Sequence, residues 1–149
     1  MKILYLDINV IYHNPTRNNI PFLLKEIGEL YIFGLGYQPR YILEKGLKTF
    51  YELNAPFDFV VTNEHIIFGS QNLDRVDYCK GYENNYFIQF DLKEIKKYIK
   101  EQFDFFKLYD GNKLIFLLES DYYNFQKKQI DNLFSCDAYI AGWGGGYDC

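Results

Sequence analysis

The residues best suited to chemistry in this chain stand together at Thr62-Asn63-Glu64-His65. A hydroxyl, an amide, a carboxylate and an imidazole follow directly on the apolar run Phe59-Val60-Val61. Such a run reads as a central strand of a parallel sheet, covered on both faces. In open α/β sheets, ligands bind in the crevice at the carboxyl ends of the strands. A histidine titrates near neutrality, and a neighbouring carboxylate can raise its pKa and orient it. Glu64 and His65 are therefore the candidate general bases. Adjacent residues on an extended chain point to opposite sides, so this pair in sequence need not be a pair in space. The competing explanation is that strand ends are polar because loops are wet.

The elements that must position these residues follow from periodicity and punctuation. Lys2 to Ile8 reads as the first strand, and Val10 to Asn18 as a polar, Pro-containing loop. Ile20, Leu23, Leu24 and Ile27 share a helical face, with Pro21 in the first turn and Gly28 as the stop. Leu30 to Phe33 reads as the second strand, and Gly34-Leu-Gly36 as a tight loop. Pro39 starts a helix expected to reach Leu53, and Pro56 blocks its continuation. Phe57 opens the third strand. Ile66 to Glu83 has no clean period and reads as a long loop with a short helical piece at most. Tyr86 to Phe90 reads as a short strand or an extended connection. Asp91 and Glu94 form a capping box. The helix they start carries Leu92, Ile95, Ile99, Phe103 and Phe106 on its apolar stripe. After a turn at Asp110-Gly111-Asn112 come a fourth strand, Lys113 to Leu118, a helix, Tyr123 to Phe134, and a fifth strand, Ala138 to Ala141.

Strands alternating with amphipathic helices imply parallel pairing through right-handed crossovers. The expected fold is an α/β, Rossmann-like three-layer α/β/α sandwich with a mainly parallel five-stranded sheet in the order 3-2-1-4-5. The expected switch point lies between the first and fourth strands. The strand tips would then gather Asp7, Asn9, His13 and Asn14; Gly34, Gly36 and Tyr37; Thr62, Asn63, Glu64 and His65; Glu119, Ser120 and Asp121; and Trp143 and Tyr147 along one edge. Asn, Asp, Glu and His among aromatic rings suit a sugar or polyol. Arg17 is a candidate for a phosphate or carboxylate, or a solvated surface charge.

Several common functions are excluded. The turn from Ile8 to Asn14 holds no glycine, and Gly34-Leu-Gly36 lacks a third, with Pro at 39, so the dinucleotide fingerprint is missing. There is no G-x-x-x-x-G-K-[ST] phosphate loop. Asp7 ends the first strand without an acidic partner, and Thr62-Asn63-Glu64 stands where a phosphorelay receiver needs its aspartate. The net charge of -4 argues against a nucleic-acid partner, which calls for a basic face. Lys93, Lys96, Lys97 and Lys100 are interleaved with Glu94 and Glu101, the pattern of a solvated helix face.

At 149 residues and 48% hydrophobic, the chain suits one domain with a full core. Fifteen tyrosines and fourteen phenylalanines, 20% aromatics with the single tryptophan, suit either an aromatic-rich core or a sugar- or protein-binding surface. The chain enters a strand at Lys2-Ile3 rather than a signal peptide. No apolar run approaches the ~20 residues needed to span a bilayer. Cys79, Cys136 and Cys149 have no C-x-x-C spacing and read as reduced thiols of a cytoplasmic protein. With only His13 and His65 beside them, no metal site is expected, and no cofactor is called for.

The segments around the first strand and Asn14-Pro-Thr-Arg17, then Phe33-Gly-Leu-Gly-Tyr37, Glu44-Lys-Gly-Leu47 and Phe57-Asp-Phe-Val-Val-Thr-Asn-Glu-His65, resemble the N-terminal domain of a GT-B-type glycosyltransferase. The similarity is to the group of CgeB-like and other nucleotide-sugar-dependent transferases. It covers residues 1–65 by motif and the remainder by element order. The resemblance implies two Rossmann-like domains across a cleft, the N-terminal one binding a sugar or glycan acceptor and often supplying the base. The nucleotide sugar would be held by a second domain or chain, with no obligatory metal. Residues 1–141 would form the acceptor-side domain, and 142–149 a Gly-rich connector or truncation point. Asn9, His13, Glu64 and His65 would lie near the acceptor, with His13 as the reserve base. The substrate-binding set is then Asn9, Asn14, Arg17, Gly34, Gly36, Tyr37, Thr62, Asn63 and Glu119. The alternative is a non-catalytic α/β module that binds a sugar or a protein partner.

Overall fold

The computed structural model describes residues 1–8, 15–35, 48–49, 57–71, 73, 92–117, 123–135 and 137–142. Ten elements run in the order β1 (Lys2–Ile8), α1 (Pro15–Ile27), β2 (Glu29–Leu35), β3 (Lys48–Thr49), β4 (Phe59–Asn63), α2 (Glu64–Gln71), α3 (Leu92–Leu108), β5 (Asn112–Leu117), α4 (Tyr123–Phe134) and β6 (Tyr139–Gly142). The strands form one parallel sheet in the order β3-β2-β1-β4-β5-β6. The chain therefore has the expected α/β, Rossmann-like architecture.

The order of the strands differs from the expectation. The strand expected third lies in the middle of the sheet, between β1 and β5, rather than at the edge beyond β2. It pairs with β1 as Ile3 with Phe59, Leu4 with Val60 and Tyr5 with Val61. The reason is burial: Val60, Val61 and Thr62 are inaccessible, and a run covered on both faces belongs in the interior of a sheet. The switch point accordingly falls between β1 and β4, where the order reverses, and not between β1 and β5.

Side-chain alternation along the strands splits the core into two layers. On one face Leu4, Leu6, Val60, Ile115 and Leu117 meet Ile67 of α2, Phe103 and Phe106 of α3, and Ile130 and Phe134 of α4. On the other, Ile3, Tyr5, Leu30, Ile32, Val61 and Phe116 meet Ile20 and Leu24 of α1. The crossover helices lie on opposite faces because β1 to β2 steps one way along the sheet and β4 to β5 to β6 the other.

Several boundaries move for identifiable reasons. Helix α1 begins at Pro15, where a missing N–H costs nothing, so Pro21 lies inside the helix and the expected loop is shorter. Gly34 and Leu35 belong to β2, held by pairing with Asp7 and Ile8. Lys48 and Thr49, expected in a helix, pair with Tyr31 and Ile32 as an edge strand; the rest of that helix lies outside the described residues. The loop expected from Ile66 begins as helix α2. The expected strand or connection at 86–90 and the tail 143–149 lie outside the described residues.

Candidate functional site

The switch point is built on a buried polar network. Asp7, the penultimate residue of β1, and Asn63, the last residue of β4, are wholly buried. The Asn63 amide uses both its hydrogens: Nδ2 donates to Asp7 Oδ1 at 2.7 Å and to the Tyr5 hydroxyl at 3.2 Å. Tyr5 in turn donates to Asp7 Oδ2 at 3.2 Å, and the Ile8 N–H to Asp7 Oδ1 at 2.7 Å. Asp7 is the acceptor in three of these four bonds and the Tyr5 hydroxyl in the fourth.

Asn63 also starts the next helix. Its Oδ1 accepts the His65 N–H at 3.0 Å, the bond an N-cap residue makes. One side chain thus ties the tip of β1, the tip of β4 and the first turn of α2 together. Glu64 opens that turn, where the helix dipole favours a negative charge. Its side chain is buried, whereas His65 is half-buried. Both lie in the first turn of a helix rather than on an extended strand. Successive helical residues point about 100° apart, so their side chains leave the axis in different directions instead of opposite ones.

The neighbouring residues lock the same corner. Thr62 is inaccessible, and its hydroxyl donates to Leu6 O at 2.9 Å across the β1–β4 pair. From α3, the buried Gln102 sends Nε2 to Asp7 O at 3.0 Å and to Phe33 O at 2.9 Å, pinning the tips of β1 and β2 from the opposite face. The sequence did carry a signal for Gln102. It is an amide placed three residues after Ile99 and seven after Ile95, in the middle of an apolar stripe.

The four-residue run therefore divides by role. Thr62 and Asn63, expected to bind substrate, spend their hydrogen bonds inside the fold. Glu64 lines the interior, and His65 has its side chain partly exposed beside them. Gly34 lies in β2, paired with Asp7, and so belongs to the same corner. Arg17 lies in the first turn of α1. Asn9, His13, Asn14, Gly36, Tyr37, Glu119, Ser120, Asp121, Trp143 and Tyr147 lie outside the described residues. Among the described residues there is no cluster of three metal-ligating side chains, and no helix long and apolar enough to cross a membrane.

Among the described residues, two concavities lie away from this corner. One, of about 350 Å³, lies between α2 and α4 and is lined by Phe68, Gln71, Gln129, Asn132 and Leu133. The other, of about 250 Å³, lies at the amino end of the sheet, lined by Tyr109, Asp110, Gly111, Lys113 and Asp137. There the Lys113 ammonium donates to Lys107 O at 3.0 Å at the end of α3 and faces the Phe106 and Phe134 rings. Burial lowers its pKa, against the opposing pull of Asp137 and Asp110.

No protein-family model matches the chain, and neither a curated protein nor a solved structure matches it.

Proposed function

We propose that the chain is the acceptor-side half of a GT-B-type glycosyltransferase, with its ligand site at the switch point between β1 and β4. The observation that carries the reading is the Asn63-centred network. It fixes the tips of the two strands to the first turn of α2, and so presents Glu64 and His65 at the place where this class of sheet binds ligands. His65, the partly exposed polar residue there, suits a neutral, hydroxyl-bearing ligand. The resemblance of residues 1–65 to GT-B N-terminal domains supports the same class.

His65 is the better-placed base, because its side chain is partly exposed while that of Glu64 is buried. In the proposed reaction an acceptor hydroxyl gives its proton to His65 as its oxygen attacks the anomeric carbon of a nucleotide sugar. The bond from that carbon to the diphosphate breaks, and the nucleoside diphosphate leaves with the electron pair. The donor is held by a second domain or chain. Burial of Glu64 and the internal engagement of Thr62 and Asn63 favour a second reading, a non-catalytic module that binds a sugar or a protein partner.

Calorimetric titration with simple sugars and nucleotide sugars tests the binding, first with the wild type and then with His65→Ala and Glu64→Gln. The expected result is sugar binding by the wild type that weakens in His65→Ala. Tight binding of the nucleotide moiety alone would contradict the placement of the donor site on another unit. For the enzyme, turnover with the donor-binding unit supplied should fall by about 10²–10⁴ in His65→Ala, the usual worth of a general base. Unchanged turnover in His65→Ala would remove His65 as the base, and no turnover by the wild type would leave the non-catalytic reading.

A further inference from the structure

Gln102 holds a buried hydrogen-bond acceptor that is without a partner among the described residues. The residue is wholly buried, and among the described residues its Oε1 makes no hydrogen bond. Buried polar atoms are nearly always paired, so an exception calls for an explanation. A simple amide flip does not supply one. Nε2 donates to two backbone carbonyls, Asp7 O at 3.0 Å and Phe33 O at 2.9 Å. Exchanging the amide nitrogen and oxygen would set an acceptor against two acceptors. The two bonds therefore fix the orientation of the amide and leave Oε1 as a preset acceptor at the tips of β1 and β2.

That position adjoins the site through the backbone of Asp7, whose carboxylate meets Asn63 and Tyr5 on the other face of the sheet. We propose that Gln102 is a ligand-contacting residue, its Oε1 accepting a hydrogen bond from a hydroxyl of the sugar bound at the strand tips. The assignment rests on the reading given under Proposed function. A hydroxyl fits because Oε1 can only accept, and because a neutral donor carries no charge into a buried corner. Oε1 is inaccessible in the free chain, so the contact forms with a local rearrangement of the tip as the sugar enters.

The test uses the full chain, wild type and Gln102→Met, titrated with glucose, N-acetylglucosamine and UDP-glucose. Affinity is read by calorimetry, and the Gln102 Cδ resonance by carbon-detected NMR. The expected result is binding of at least one sugar by the wild type, a shift of the Cδ resonance on saturation, and affinity reduced about tenfold in Gln102→Met. If wild type and variant bind a sugar equally, the Gln102 contact is wrong and the switch-point site stands. If the wild type binds none of the three, both fall. Should Gln102→Met fail to fold, the wild-type Cδ resonance decides alone. A signal that stays in place while a sugar saturates the chain overturns the proposal. So does a crystal structure of the sugar complex with only a water on Oε1.

Discussion

Replacing Asn63 tests the architecture of the site, because one side chain there does two separable jobs. Its Oδ1 caps α2 through the His65 N–H, and its Nδ2 donates to the buried Asp7 carboxylate at 2.7 Å. A lost N-cap costs about 1 kcal/mol. A hydrogen bond to a charged group contributes about 1.5–3 kcal/mol. Asn63→Ala removes both and should destabilise the chain by about 2.5–4 kcal/mol, a large part of the ~5–15 kcal/mol that holds a domain folded. Urea unfolding followed by circular dichroism reads this directly. With a slope of about 1–3 kcal/mol per molar, the midpoint should fall by roughly 0.8–4 M. Asn63→Asp separates the two jobs. It keeps the cap acceptor but sets a second carboxylate oxygen against Asp7, and two carboxylates at that distance cannot both ionise. One of them takes up a proton in the folded state at a pH where the unfolded chain has released it. The folded state then binds more protons than the unfolded one, so stability falls as pH rises. Asn63→Asp should therefore be destabilised at pH 7 and recover relative to wild type as the pH approaches the carboxylate range near 4. An Asn63→Asp chain as stable as wild type at neutral pH, or one with an unchanged pH profile, would refute the network.

Three further outcomes follow from the same geometry. Thr62→Val keeps the shape but loses the bond to Leu6 O, and should cost about 1 kcal/mol in the same urea assay. Tyr109 donates to Phe57 O, and burial, with the charges of Asp110 and Asp58, raises its pKa above the usual phenol value. That contribution is fully present below the unfolded pKa of about 10 and is lost as pH rises through the folded value. Tyr109→Phe should be less stable at pH 8 by about 1 kcal/mol and lose less stability than wild type on raising the pH to about 11. Gly111→Ala would bring its Cβ to 2.5–2.7 Å from the Tyr109 ring and hydroxyl, forcing that side chain off Phe57 O. Its cost should therefore be smaller in the Tyr109→Phe background than in the wild type, as a double-mutant cycle will measure.

The alternation of strands and helices was legible because most of these elements have the simple period that hydrophobic patterning reports. Helix α3 and helix α4 start where the sequence places them, after Asp91 and at Tyr123. Helix α2 was legible only as a short helical piece in a loop from Ile66, because Glu64-His65-Ile66-Ile67-Phe68 has no clean helical period. Its signal was a single residue, Asn63, which is a good N-cap directly after an apolar strand. That reading made Glu64 and His65 look extended. Strand order was misjudged because local sequence does not encode which strands pair. The apolar run in β4 nevertheless favoured a central place over the edge. The polar cluster was visible as a cluster, but its partition was not. Only the tertiary contacts with Tyr5, Leu6 and Asp7 show that Thr62 and Asn63 hold the strand tips together while His65 retains partial exposure.

The central claim is that the carboxyl ends of β1 and β4 receive a hydroxyl-rich ligand. Amide NMR of the uniformly ¹⁵N-labelled chain, titrated with N-acetylglucosamine and UDP-glucose, tests it most directly. The account predicts shifts centred on Asp7, Ile8, Asn63, Glu64 and His65, saturating together. Shifts centred instead on Phe68, Gln129 and Leu133 between α2 and α4, or no shifts at all, would contradict it.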